Sequence, residues 1–81
     1  MNGARLHRLP RIRTDWFRVL ADLQRAGIDM ARVSRLIDVP VGTIRYWKQG
    51  GEPSHAAGHA LLELWAETCG QEYNHRPMCF A

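Results

Sequence analysis

The side chains best suited to recognise another molecule lie between positions 42 and 49. Arg45, Tyr46 and Gln49 follow Gly42 at three-, four- and seven-residue intervals, so a helix would place all four on one side. A guanidinium donates paired hydrogen bonds to planar acceptors, an amide both donates and accepts, and a phenol offers a hydroxyl. These groups suit hydrogen bonding to polar edges and anionic oxygens, and they include no activated nucleophile.

Neighbouring residues extend this candidate surface. Thr43 adds a hydroxyl, Lys48 adds a positive charge, and Val41 offers a small apolar contact. Arg32 and Arg35 lie on the exposed side of the preceding predicted helix, where they are expected to hold an anionic backbone. The alternative interpretation is that these arginines only solvate a helix surface.

Charge is divided unevenly along the 81 residues, whose net charge is +3. Residues 1–50 carry ten basic and four acidic side chains, whereas residues 51–81 carry one basic and four acidic side chains. A basic first half favours a polyanionic partner. The alternative is that the many arginines reflect a codon-usage bias and have no role in binding, since arginine far exceeds lysine.

Residues 1–13 are predicted to form a flexible basic arm, because they hold four arginines, no acid and a proline. Arg11 and Arg13, at its end, are the candidate arm contacts. Residues 14–70 are predicted to form one compact domain, and residues 71–81 a tail of uncertain structure. The predicted fold class is all-α, with four to five short helices and no strand of useful length.

Caps and apolar spacing define the predicted helices. Thr14 is expected to cap the first helix, which ends at Gly27, and its predicted apolar face holds Trp16, Phe17, Leu20 and Leu23.

Asp29 is expected to cap a second helix with a buried stripe of Val33, Leu36 and Ile37. Pro40 lies near the start of a third helix, whose inward residues are Ile44 and Trp47.

The fourth predicted helix follows Ser54, its expected cap, and ends at Gly70. Its broad apolar face contains Leu61, Leu62, Leu64 and Trp65, and we expect all three tryptophans of the chain in the core.

The segment ARVSRLIDVPVGTIRYWKQG resembles the helix-turn-helix of small Cro/repressor-type proteins of phages and bacteria. Val33, Ile44 and Trp47 match the buried positions of that motif, Ser34 stands where two helices cross closely, and Val39 fills the turn. Asp38 takes a turn position that is usually glycine, and aspartate tolerates the left-handed backbone better than most residues. The resemblance covers about residues 14–69 and implies a lambda-repressor-like arrangement of helices.

The resemblance implies a homodimeric regulator, a Cro-like repressor, that binds double-stranded DNA in a sequence-specific way. A cytoplasmic location is expected because the basic N-terminal residues lack the apolar stretch of a secretory signal and no apolar run is long enough to span a membrane. Helix 41–49 would enter the major groove, where Arg45 would pair with guanine and Gln49 would contact either adenine or a phosphate. The fourth helix and the tail residues Tyr73, Met78 and Phe80 are candidate dimer surfaces. The complete set of predicted DNA contacts is Val41, Gly42, Thr43, Arg45, Tyr46, Lys48, Gln49, Arg32 and Arg35, with Arg11 and Arg13 from the arm.

Other hypotheses stay open. Pro40, Val41 and Gly42 have no side-chain donors at the start of the third helix, which favours a protein-interaction module built on the same scaffold. The string TIRYW is similar to the start of a MerR-type winged helix, although residues 50–54 are too few for a β-wing. Roles in phage DNA packaging or excision also remain.

No enzyme, cofactor or small-molecule substrate is expected, because no nucleophile–base–acid set or phosphate-binding glycine loop is present. Cys69, His75 and Cys79 offer three metal ligands without the paired spacing of a structural zinc site, so no metal is expected. The pair His55 and His59 is interpreted as solvent-facing. No apolar run approaches the roughly 18 residues of a membrane span.

Overall fold

The computed structural model describes residues 12–80, which form a mainly helical domain with one short antiparallel ribbon. In chain order the elements are β1 (Ile12–Thr14), α1 (Trp16–Arg25), α2 (Met30–Ile37), α3 (Val41–Lys48), α4 (His55–Cys69), a 3₁₀ turn (Tyr73–His75) and β2 (Met78–Phe80). The helices match the predicted ones closely. Residues 1–11, which include Arg11 and most of the predicted arm, and Ala81 lie outside the described part.

Short polar side chains set where three of the helices begin. Asp29 accepts a 2.9 Å hydrogen bond from the backbone N–H of Arg32, and Ser54 accepts one of 3.2 Å from Ala57, as predicted. The prediction for α1 is wrong by one residue, because Asp15 and not Thr14 is the cap. Thr14 ends β1 instead.

The core lies where all four helices meet. It consists of ten buried apolar side chains: Trp16, Val19, Leu20, Leu23, Val33, Ile44, Trp47, Leu61, Leu62 and Trp65. All three tryptophans are buried, as predicted. At about 1.5–3 kcal/mol for each large side chain, these residues supply the main driving force for folding.

Two residues assigned to apolar faces are not buried. Leu36 is 54% exposed, although it shares the predicted stripe of α2 with buried Val33 and half-buried Ile37. The stripe is wider than the arc of α2 that α3 and α4 cover. Phe17 is likewise exposed beside buried Trp16.

The ribbon corrects the all-α prediction. Ile12 pairs with Phe80, Arg13 with Cys79 and Thr14 with Met78. Two further hydrogen bonds extend the contact between the two segments. The Asp15 N–H donates to the Pro77 carbonyl (2.9 Å), and Arg76 Nε donates to Thr14 Oγ1 (3.1 Å). Residues 12 and 13 are therefore part of the folded domain, and residues 78–80 of the predicted tail are a strand.

No helix within residues 12–80 combines the length and the apolar character needed to cross a membrane.

Candidate nucleic-acid interface

The turn between α2 and α3 is the element that orients the candidate surface. Asp38 has left-handed backbone angles (φ 57°, ψ 54°), which end α2 and redirect the chain. The hydroxyl of Ser34 donates a 2.6 Å hydrogen bond to the Val39 carbonyl, and the Val39 N–H donates one of 3.1 Å to the Ser34 carbonyl. This reciprocal pair fixes the turn, and the small Ser34 side chain lets the turn fold back onto α2.

Helix α3 has one buried and one exposed side. Ile44 and Trp47 are buried in the core, which fixes how the helix is rotated about its axis. The predicted contact residues on its open side are exposed: Gly42, Thr43, Arg45, Tyr46 and Gln49. The structure therefore leaves the arginine–tyrosine side of α3 open to solvent.

Val41 and Lys48 are only half-buried and face less freely outward. The Lys48 Nζ atom lies 5.8 Å from the centroid of the Phe17 ring, which places its ammonium over an exposed aromatic face of α1. Lys48 thus lies at the edge of the surface, where it contacts α1.

The cations of this region are not neutralised by any carboxylate of the described residues. Arg32, Arg35 and Arg45 are exposed, and none of them forms a salt bridge with a carboxylate of residues 12–80. Arg35 borders a shallow groove at the turn together with Asp38 and Pro40. Asp38 places one carboxylate at the margin of an otherwise basic surface.

The Tyr46 ring packs against Gly51, the second glycine of the pair that follows α3. The Tyr46 ring is 60% exposed and lies so close to Gly51 that any side chain at position 51 would overlap the ring. The Gly51 N–H also donates a 2.9 Å hydrogen bond to the Tyr46 carbonyl. The glycine pair after α3 is evident in the sequence, but the sequence does not indicate that the Tyr46 ring packs against Gly51.

Arg13 does not occupy a free arm. Its Nη2 atom lies 2.8 Å from a Glu52 carboxylate oxygen and donates a 3.3 Å hydrogen bond to the Gly50 carbonyl. Arg13 therefore ties β1 to the loop that follows α3. In the sequence, the only indication of this ion pair was Glu52, the acidic residue directly after the glycine pair.

Residues with metal-binding chemistry do not converge within the described chain. No group of three or more histidine, cysteine or acidic side chains in residues 12–80 has metal-binding geometry. Cys69 and His75 border one open pocket, whereas Cys79 lies in β2 opposite Arg13, and both thiols are free. His59 lies 3.4 Å from a Glu63 carboxylate oxygen and 3.3 Å from the Tyr73 hydroxyl.

Comparison with family models, with curated proteins and with solved structures finds no match for this chain.

Proposed function

We propose that the protein is a sequence-specific double-stranded DNA-binding regulator, a repressor of the Cro type, that uses α2 and α3 as a helix-turn-helix. The observation that carries this proposal is the open side of α3, where Arg45, Tyr46 and Gln49 are exposed while Ile44 and Trp47 hold the opposite side in the core. A helix of this diameter fits the major groove of B-DNA, where its outward side chains reach base edges.

Each residue has a role set by its chemistry. Arg45 would pair with the O6 and N7 acceptors of guanine, and Gln49 with the N6 and N7 atoms of adenine. Tyr46 and Thr43 would donate to phosphates, and Arg32 and Arg35 would hold the backbone on either side. Gly42 carries no side chain and would permit close approach of the α3 backbone to DNA.

A homodimer would double this interface on a palindromic site. We assign the β1–β2 ribbon as the surface through which two copies would associate. Its apolar side chains Ile12, Met78 and Phe80 are exposed, with Phe80 at 72%. A two-stranded ribbon also leaves unpaired backbone groups at both edges, where a second strand can add.

The second candidate is a protein-interaction module, and a specific observation favours it. Leu36 is exposed on α2, and Pro40, Val41 and Gly42 give the start of α3 no side-chain donor. An apolar partner would cover this end of the surface better than bases would. The winged-helix hypothesis has less support, because residues 49–54 contain no strand.

Fluorescence anisotropy with random 25-base-pair duplexes, at low and physiological salt, tests DNA binding directly. Counterion release predicts that affinity falls steeply as salt rises. An NMR titration then locates the contact, with shifts expected in residues 42–49. Absence of binding at low salt, or shifts confined to residues 71–80, would favour the interaction module. Selection from a random duplex pool identifies the preferred site.

A further inference from the structure

Helix α3 ends in two hydrogen bonds that bring position 51 back beside Tyr46. The Gly51 N–H donates to the Tyr46 carbonyl at 2.9 Å, and the Gly50 N–H donates to the Trp47 carbonyl at 3.1 Å. Gly50 has a left-handed backbone (φ 108°), so the helix has a Schellman-type end. Such an end often packs an apolar side chain at the position of Gly51 against the side chain three positions before the cap. Here position 51 has no side chain, and the Tyr46 ring occupies that space.

One face of the Tyr46 ring is turned toward Gly51. A side chain built on Gly51 would place its first carbon no more than 2.5 Å from three adjacent ring carbons, Cδ2, Cε2 and Cζ. Because this point is almost equally far from all three carbons, it lies over the ring face and not beyond the ring edge. The Gly51 Cα atom, one bond further from the ring, therefore packs on that face in van der Waals contact.

The backbone around Gly51 is held from two sides. Its own N–H is bonded to α3, and Arg13 Nη2 contacts both neighbours of Gly51, the Gly50 carbonyl at 3.3 Å and a Glu52 carboxylate oxygen at 2.8 Å. Gly51 does not have a positive φ, so its backbone conformation does not itself require glycine. A methyl group at position 51 would therefore turn the Tyr46 ring, whose 60% exposure gives it room to move, and leave the backbone in place.

We propose that Gly51 is a positioning residue for DNA binding, because its bare backbone holds the Tyr46 ring in the orientation from which the phenol hydroxyl donates to a DNA phosphate. This role rests on the proposed function, in which Tyr46 contacts the DNA backbone. An exposed side chain that is not held in advance loses rotamer freedom on binding, at a cost of about two- to tenfold in affinity. The contact with Gly51 is made in the free protein and avoids that loss.

NMR spectroscopy of the wild-type protein without DNA tests the contact itself. A hydrogen over an aromatic face resonates upfield, so the Gly51 α-hydrogen that points at the Tyr46 ring should be shifted upfield of the other α-hydrogen of Gly51. Tyr46→Leu, which removes the ring and keeps a good helix former, should abolish the shift. A Gly51 signal without the shift, or a shift that Tyr46→Leu leaves unchanged, would overturn the proposal whether or not the protein binds DNA.

The two neighbouring glycines provide matched variants that separate the backbone from the ring. Gly51→Ala should unfold at nearly the wild-type Tm, because only an exposed ring has to move. Gly50→Ala should unfold at a lower Tm, because alanine fits the left-handed backbone at position 50 poorly. If Gly51→Ala loses as much stability as Gly50→Ala, or fails to fold, the backbone yields instead of the ring and the proposal is wrong.

Fluorescence anisotropy with DNA shows whether the contact serves binding. Gly51→Ala should weaken binding about two- to tenfold on selected and random duplexes alike, because a phosphate contact carries no sequence information. The salt slope should stay at its wild-type value, since no charge changes. In a Tyr46→Phe background, which keeps the ring and lacks the hydroxyl, Gly51→Ala should have little further effect. An equal loss in both backgrounds would mean that Gly51 acts without the Tyr46 hydroxyl, which would overturn the proposal.

Failure of the positioning role and failure of the proposed function give different results. DNA binding that Gly51→Ala leaves unchanged would overturn the positioning role while the proposed function stands. A wild-type protein that binds no duplex at low salt would contradict the proposed function and, with it, the role of Gly51 in DNA binding. The α-hydrogen shift and the Tm values would then still decide whether Gly51 holds the Tyr46 ring.

Discussion

The indole Nε1 of Trp65 donates a 3.0 Å hydrogen bond to the carboxylate of Asp22 and so joins the middle of α4 to α1. Asp22 also forms an ion pair with Arg25, one turn further along α1. One half-buried carboxylate therefore satisfies a core tryptophan and balances a surface arginine. The Trp65 bond is the more important of the two, because it satisfies a donor within the core.

Asp22→Ala should lower the free energy of unfolding by about 1–3 kcal/mol, because it leaves the Trp65 N–H buried without an acceptor. For a domain of this size each kcal/mol corresponds to roughly 4–8 °C in Tm. Arg25→Ala, the control, removes only an exposed ion pair and should cost less than about 1 kcal/mol. Urea denaturation of both variants measures the difference. Equal losses would show that the Trp65 bond contributes nothing of its own.

If the proposed function is correct, Arg45→Ala should cost about 1–3 kcal/mol of binding free energy on a selected DNA site and relax the preference at one base pair. Arg32→Ala should weaken binding to all sequences alike and reduce the salt slope by about 1. Anisotropy titrations on selected and scrambled duplexes separate these effects.

Arg18→Ala is the matched control for these two variants. It removes the same charge from an exposed position on α1, beside a pocket that no residue of α2 or α3 lines. We expect DNA binding close to that of the wild type. If all three variants weaken binding equally, the effect is one of net charge and not of a recognition helix.

Asp38→Gly should stabilise the protein by up to about 1 kcal/mol, because glycine adopts the left-handed backbone without the steric cost of a side chain. The change also removes a negative charge from the C-terminal end of α2, where the helix dipole disfavours it. Asp38→Val should be destabilised, since a β-branched residue fits that backbone poorly. Thermal unfolding ranks the variants.

Asp38→Asn separates charge from backbone conformation at the same position. It keeps the tolerance for left-handed geometry and removes the carboxylate beside Arg35. Both Asp38→Asn and Asp38→Gly should therefore bind DNA more tightly than the wild type if the proposed function holds. A glycine variant less stable than the wild type would mean that the Asp38 side chain makes a necessary contact.

Burial raises the pKa of the Cys69 thiol, the Asp22 carboxylate raises it further, and Arg25 opposes both effects. The folded state thus favours the protonated thiol. Its contribution to stability is complete below the unfolded value of 9.0 and is lost as the pH rises through the folded pKa.

We expect iodoacetamide to alkylate native Cys69 more slowly than the same residue in urea, with a rate that rises at higher pH. Asp22→Asn should speed the reaction and Arg25→Gln should slow it, because they remove opposite charges. Mass spectrometry of the peptide that contains Cys69 gives the rates. Identical native and unfolded rates would contradict the assignment.

The parts of the fold that depend on local sequence were predictable. Asp29 and Ser54 cap helices because a short polar side chain before an apolar repeat satisfies the first free N–H groups, and this signal lies within a few residues. The left-handed backbone at Asp38 and the burial of Ile44 and Trp47 were also predictable, because their signals likewise lie within a few neighbouring residues. The outward orientation of the Arg45 side follows from those two buried residues.

The parts that depend on distant contacts were not predictable. Three-residue strands such as Ile12–Thr14 show no useful alternation, and their pairing with Met78–Phe80 joins the two ends of the described chain. Leu36 has the spacing of a core residue, but only the tertiary arrangement decides how wide an arc of α2 is covered. The contact of Tyr46 with Gly51 likewise needs the path of the loop after α3.

The ribbon also joins two segments that are far apart in the chain. Ile12–Thr14 is synthesised early but stays without its partner until Met78–Phe80 has been made, so the local helical contacts can form first. Arg13 reaches Glu52 from within that strand. The strand that closes the ribbon therefore also holds the loop that follows α3, so one long-range pairing positions two distant parts of the domain.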